Sequence, residues 1–101
     1  MQHMIAASVD LGLSQDVARA LIAQTCVGAG KMVLAGTDEC ATLRKKVTSP
    51  GGTTQAAVKV LGDLSIGNGV SKAVYAAWAR SVELGVEFGK DPDAGSRKTK
   101  L

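Results

Sequence analysis

Aromatic side chains are nearly missing from this 101-residue chain, in which Tyr75, Trp78 and Phe88 are the only three. No basic stripe interleaved with aromatics can be drawn, and a net charge of +3 is too small to argue for nucleic acid. His3 is the single histidine. Cys26 and Cys40 are the only cysteines, and they lie far apart without Cys-x-x-Cys spacing, so no metal site is expected. Two unclustered cysteines read as reduced thiols, which predicts a cytoplasmic protein. The N-terminus lacks a basic stretch followed by an apolar one, so nothing in it marks export. No apolar run approaches the ~20 residues needed to cross a bilayer, and no membrane partner is expected. Period-two alternation is absent over any useful length. The chain reads as all-α.

What is present is small and apolar. Hydrophobic residues make up 46% of the chain, and with so few rings the core must come from Ala, Val, Leu and Ile. Such side chains let helices approach closely, but each buries little area, so a partner surface is needed for ordinary stability. The length predicts one domain over residues 1–90. From Lys90 on, Pro, Gly, Ser and charge replace periodicity, which predicts a disordered charged tail over 91–101.

Helical spacing organises the rest. Met1 to Leu11 forms a first segment that starts abruptly, as a helix with its beginning removed would, and Gly12 ends it. Ser14 is a helix cap with Asp16 in the first turn behind it, and apolar spacing then runs from Gln15 to Leu34. Gly28 and Gly30 inside that run mark a close helix crossing. Gly28-Ala29-Gly30 does not match a dinucleotide fingerprint, because no strand precedes it and no third glycine follows at the right distance. Gly67-Asn68-Gly69 fails in the same way and reads as part of a turn over Ser65–Gly69. A short helix is expected from Asp38-Glu39 to near Lys46, one from about Thr54 to Leu64, and a last one from Val70 to about Phe88. Arg44, Lys45 and Lys46 read as cations at the end of a solvated helix, although they could also add positive potential near a bound anion.

The chain turns on one stretch, Val47-Thr48-Ser49-Pro50-Gly51-Gly52-Thr53-Thr54-Gln55-Ala56-Ala57-Val58. Proline and two glycines break the preceding helix, and an apolar-periodic run follows, so Thr53 or Thr54 is the expected cap. A glycine loop feeding a helix start leaves backbone N–H groups at the positive end of the helix dipole. That is a small site for a carboxylate or phosphate. A plain helix–loop–helix corner uses the same residue types.

The run from Leu43-Arg44-Lys45-Lys46 through Val47-Thr48-Ser49-Pro50-Gly51-Gly52-Thr53-Thr54, with Val60-Leu61 beyond it, resembles the signature of pyrroline-5-carboxylate reductase. Lys31-Met32-Val33-Leu34 and Asp10-Leu11-Gly12-Leu13 are similar to that family too, and the likeness extends from about Met4 to Leu61. The family carries an α/β dinucleotide-binding domain and an all-helical domain that interlocks with its twin. This chain resembles most of the second. The resemblance implies a helical bundle interlocked with a second copy as a homodimer, with a ring of such dimers as a further assembly. It implies an oxidoreductase of proline biosynthesis, an amino-acid biosynthesis step, reducing 1-pyrroline-5-carboxylate to L-proline with NADPH or NADH. The cofactor would be bound by a domain absent from this chain, which is then expected to be a fragment, a truncated gene product or one piece of a split enzyme, inactive alone.

Carried onto this sequence, the motif makes Ser49, Gly51, Gly52, Thr53 and Thr54 the substrate-binding residues and Thr54 the catalytic one. The backbone amides of Ser49 to Thr53 would hold the substrate carboxylate, and the Thr54 hydroxyl would reach the ring nitrogen. Lys45 stands where an acidic residue often occurs and Cys40 where a proline is usual. Gly62–Gly69 is about four residues longer than the family's turn, and Val70 replaces a larger residue. The alternative is a non-catalytic helical oligomerisation module that kept the fold and lost the chemistry.

Overall fold

A computed structural model describes residues 1–88. It contains α1 (Gln2–Asp10), α2 (Gln15–Ala35), α3 (Cys40–Lys46), α4 (Thr53–Asp63) and α5 (Ile66–Phe88), and no strand among the described residues. The chain divides into two compact units, Met1–Thr48 and one that begins at Ser49. The first holds α1 to α3 and the second α4 and α5. The domain end expected at residue 90 and the tail expected over 91–101 lie outside the described residues.

In the first unit the chain reversal after α1 is made by Gly12, at φ +116°. The Leu13 amide donates to the Ser8 carbonyl and the Gly12 amide to that of Val9, so these two open carbonyls of the last turn are satisfied. Ser14 then caps α2 as its sequence position predicts, with Oγ accepting the Val17 amide at 3.3 Å. α1 packs against α2. On these two helices Ala18 is fully buried, while Ile5, Val9 and Ile22 are half-buried. Lys46 pairs with Asp38 across the length of α3, on the surface, where such a bond contributes little.

Burial stops there. Ala18 is the single buried hydrophobic residue among the described residues, whereas Leu21 is 52% exposed and Trp78 64%. Helices formed on an apolar pattern need that pattern covered, because packing of the apolar face rather than propensity holds most protein helices. Gly28 and Gly30 sit inside α2, and a Cβ built at either meets nothing within 4 Å. Among the described residues of the first unit, no helix crosses closely at these glycines. The apolar content of α2 also corrects a sequence expectation. At 21 residues it is long and apolar enough, by length and composition, to cross a membrane. Charged residues are few in it and scattered, so the run is longer than its interruptions suggest.

In the second unit α4 packs against α5. The turn expected over Ser65–Gly69 is shorter, and α5 begins at Ile66 instead of Val70. Gly67, Asn68 and Gly69 are helical. The reversal is made by Leu64 and Ser65, with Ser65 at φ +53° and its amide on the Gly62 carbonyl. Once Ser65 takes the left-handed conformation, the glycines after it are free to continue as helix despite their low propensity.

Serine stands here in the conformation that glycine adopts without strain. Ser65→Gly is expected to stabilise the protein by about 0.5–1 kcal/mol, the left-handed cost relieved less the extra entropy of glycine. Thermal unfolding of the variant checks this, and an unchanged or lower melting temperature shows that the φ at 65 costs nothing.

Candidate functional site

The Ser-Pro-Gly-Gly stretch folds as a hydrogen-bonded turn. Ser49 is its first residue, Pro50 its second and Gly51 its third, and the Gly52 amide donates back to the Ser49 carbonyl at 3.0 Å. Gly51 has φ +71°. Proline at the second position and a positive-φ glycine at the third are what a type II turn requires. Gly51 is thus the position where the turn favours glycine most. Gly52, at φ −84° and ψ 174°, is ordinary extended backbone, and a Cβ there would lie 3.2 Å from the Ser49 carbonyl oxygen.

Gly52, not Thr53 or Thr54, is the cap of α4, and no side chain caps this helix. The turn delivers the chain into the helix one residue earlier than the threonines suggest, which places Thr53 and Thr54 as its first two residues. Their hydroxyls are therefore not committed to holding the helix start. Thr54 is half-buried, while Ser49 and Thr53 are exposed.

The amides sort into two groups. Gly52 is bonded to Ser49, and Gly51 donates to Oε1 of Gln55 at 2.6 Å. The amides of Thr53, Thr54 and Gln55 open the helix and have no acceptor one turn back, the first bond of the ladder being Ala56 to Gly52. Of the expected donor set, Ser49 to Thr53, the Gly51 and Gly52 amides hold the loop, and Thr53 opens the helix beside the further donors Thr54 and Gln55. Together with the dipole of an 11-residue helix these make a fixed positive end with no titratable side chain in the stretch. Such an end can hold a carboxylate, with the Thr54 hydroxyl free beside it.

Gln55 is the site residue that the sequence reading passed over. A Glu or Gln at the third helical position is the standing signal for a side chain that turns back onto the helix entrance, and this one does so. Arg44, Lys45 and Lys46 occupy the last turn of α3 in the first unit. That unit also has a shallow apolar groove lined by Ala29, Met32, Val33, Leu43 and Val47, together with Cys40 and Arg44. It suits an apolar side chain better than a small polar acid.

Residues 1–84 match the family model described as pyrroline-5-carboxylate reductase dimerisation. The chain is 43% identical over 90 residues to pyrroline-5-carboxylate reductase of Pseudomonas aeruginosa, covering 89% of this chain and 33% of that enzyme. It is 40% identical over 85 residues to the same enzyme of Pasteurella multocida, covering 83% and 31%. Pyrroline-5-carboxylate reductase 2 of Bacillus subtilis is 35% identical over 88 residues, covering 87% and 32%. The chain thus spans about a third of the length of these curated relatives. No solved structure matches it.

Proposed function

The chain belongs to the pyrroline-5-carboxylate reductase family through its dimerisation domain, and from that premise we propose that it is the dimerising, substrate-holding part of an enzyme that reduces 1-pyrroline-5-carboxylate to L-proline. The observation that carries this reading is the start of α4. A turn locked by Pro50 and Gly51 leaves three helix amides open beside an uncommitted Thr54 hydroxyl. The amides of Thr53, Thr54 and Gln55 anchor the substrate carboxylate. The Thr54 hydroxyl then meets the ring nitrogen, orients the imine and helps deliver its proton. A threonine hydroxyl is a weak acid, so water is the ultimate proton source.

The residues described here do not fit a nicotinamide cofactor. A dinucleotide site needs a glycine turn between a strand and a helix. Here Gly28 and Gly30 lie within α2, and Gly67 and Gly69 within α5. NADPH or NADH is held by another part of the enzyme. The assembly is a homodimer, with a ring of dimers as its extension. Cys26 and Cys40 are free and exposed, which supports a place in the reducing cytoplasm.

Purified alone, the 101-residue chain is expected to give no measurable turnover of 1-pyrroline-5-carboxylate with either cofactor, whereas the complete reductase turns it over. Activity from the chain alone would show that the cofactor binds somewhere in these residues. Proline titrated into the dimer is expected to shift the amide resonances of Thr53, Thr54 and Gln55. A module that only oligomerises leaves those amides unmoved.

A further inference from the structure

Leu64 and Ser65 alone join α4 to α5. Ser65 serves both helices. Its amide donates to the Gly62 carbonyl at 3.0 Å, and its carbonyl accepts the Gly69 amide at 3.1 Å, the bond that opens the α5 ladder. It does so at φ +53°, outside the extended conformation in which a serine caps a helix. The turn that follows, Ile66-Gly67-Asn68-Gly69, has little to keep it helical. Glycine and asparagine are poor helix formers, and no acidic side chain stands in the first turn to meet the dipole. Packing does not make up the difference. Ser65 to Gly69 are all exposed, and a Cβ at Gly67 or Gly69 would meet nothing within 4 Å.

We propose that the start of α5 is a helix–loop switch and the hinge of the second unit. In the closed state Leu64 and Ser65 reverse the chain and hold α4 directly on α5. In the open state Ser65 leaves the left-handed region and residues 65–69 take the loop that their residue types favour. α5 then starts at Val70, and the longer connection lets α4 swing. The amides of Gly69 to Lys72 give up their ladder bonds and turn to water, while two glycines recover their freedom. Reversal and first turn open together because both hang on Ser65.

Amide exchange on the dimer tests this, with Ser65→Gly, Gly69→Ala and the pair Gly67→Ala/Gly69→Ala. In the wild type, Val70, Ser71 and Lys72 should exchange about tenfold or more faster than Ala76 and Ala77, by local opening. Gly69→Ala favours the helix and should slow them roughly fivefold, and the pair roughly tenfold, the first-turn glycine counting for less. Position 69 lies away from the apolar stripe of Val70, Val74 and Trp78, so this variant leaves a dimer face on that stripe intact. Ser65→Gly relieves the closed state and should slow the same amides roughly two- to fivefold. A helix end that merely frays keeps its reversal, and a change at 65 then leaves those amides as they were. That result overturns the proposal. So do wild-type amides at 70–72 as protected as those at 76 and 77, or exchange that neither alanine variant slows.

Discussion

Diluting this chain is expected to unfold it. A single alanine is fully buried among the described residues, and large apolar side chains stand open on every long helix: Leu21 and Met32 on α2, Leu61 on α4, Val74 and Trp78 on α5. Covering such a side chain contributes about 1.5–3 kcal/mol, so the faces left open outweigh those that the chain covers itself. A second copy meets the need with an isologous, mostly apolar interface, larger than ~2,000 Å² in total as obligate dimers have. Folding is then tied to association, and each tenfold dilution removes about 1.4 kcal/mol of apparent stability. Sedimentation should show a dimer at micromolar concentration, and the melting temperature should fall with dilution. Leu21→Glu, which puts a charge on the face that α2 must bury, should abolish both dimer and helix content. A stable folded monomer at micromolar concentration sinks the idea. Under this reading the membrane-like composition of α2 has an ordinary cause, since a helix buried by its twin needs as few charges as one buried in lipid.

Local chemistry made much of this fold readable in advance. Ser14 followed by Asp16 marked the start of α2, and Gly12 the end of α1, because capping depends on residues within a turn of the boundary. The start of α5 was misread for the converse reason. Gly67, Asn68 and Gly69 have turn propensities, yet a left-handed Ser65 had already reversed the chain, and no residue-type rule flags a serine for that role. At the α4 entrance, two threonines invited a cap at 53 or 54, but the type II turn fixed the entry at Gly52. Gln55 was legible and overlooked. The burial pattern was beyond the reach of periodicity: spacing tells which residues want to be covered, not whether the cover comes from the same chain.

Thr54→Ala in the complete reductase is expected to lower kcat/KM by roughly ten- to hundredfold, the loss of a hydrogen bond of ~1.5–3 kcal/mol at the reacting nitrogen. The fold should barely register the change. No side chain caps α4, so the Thr54 hydroxyl is not holding the helix, and alanine is a better helix former than threonine. A threonine that served as a cap would behave in the opposite way, costing ~1 kcal/mol of stability and leaving the kinetics intact. Melting temperature and kcat/KM measured on one protein therefore separate the two roles, and a destabilised variant with wild-type kinetics leaves Thr54 with no part in the reaction. The neighbouring glycines supply the control. Gly51→Val forces a β-branched residue to φ +71°, at a cost of about 1–2 kcal/mol or more, and should break the turn that aims the amides, so its damage appears as lost proline binding. Gly52→Val meets an allowed φ and has only the Ser49 carbonyl, 3.2 Å from the new Cβ, to push aside. The order of harm to proline binding should thus be Gly51→Val, then Gly52→Val, then Thr54→Ala, while Thr54→Ala loses the most turnover for its binding loss. If the Gly52 variant proves worse than the Gly51 variant, close approach of the ligand to the Gly52 backbone matters more than the shape of the turn.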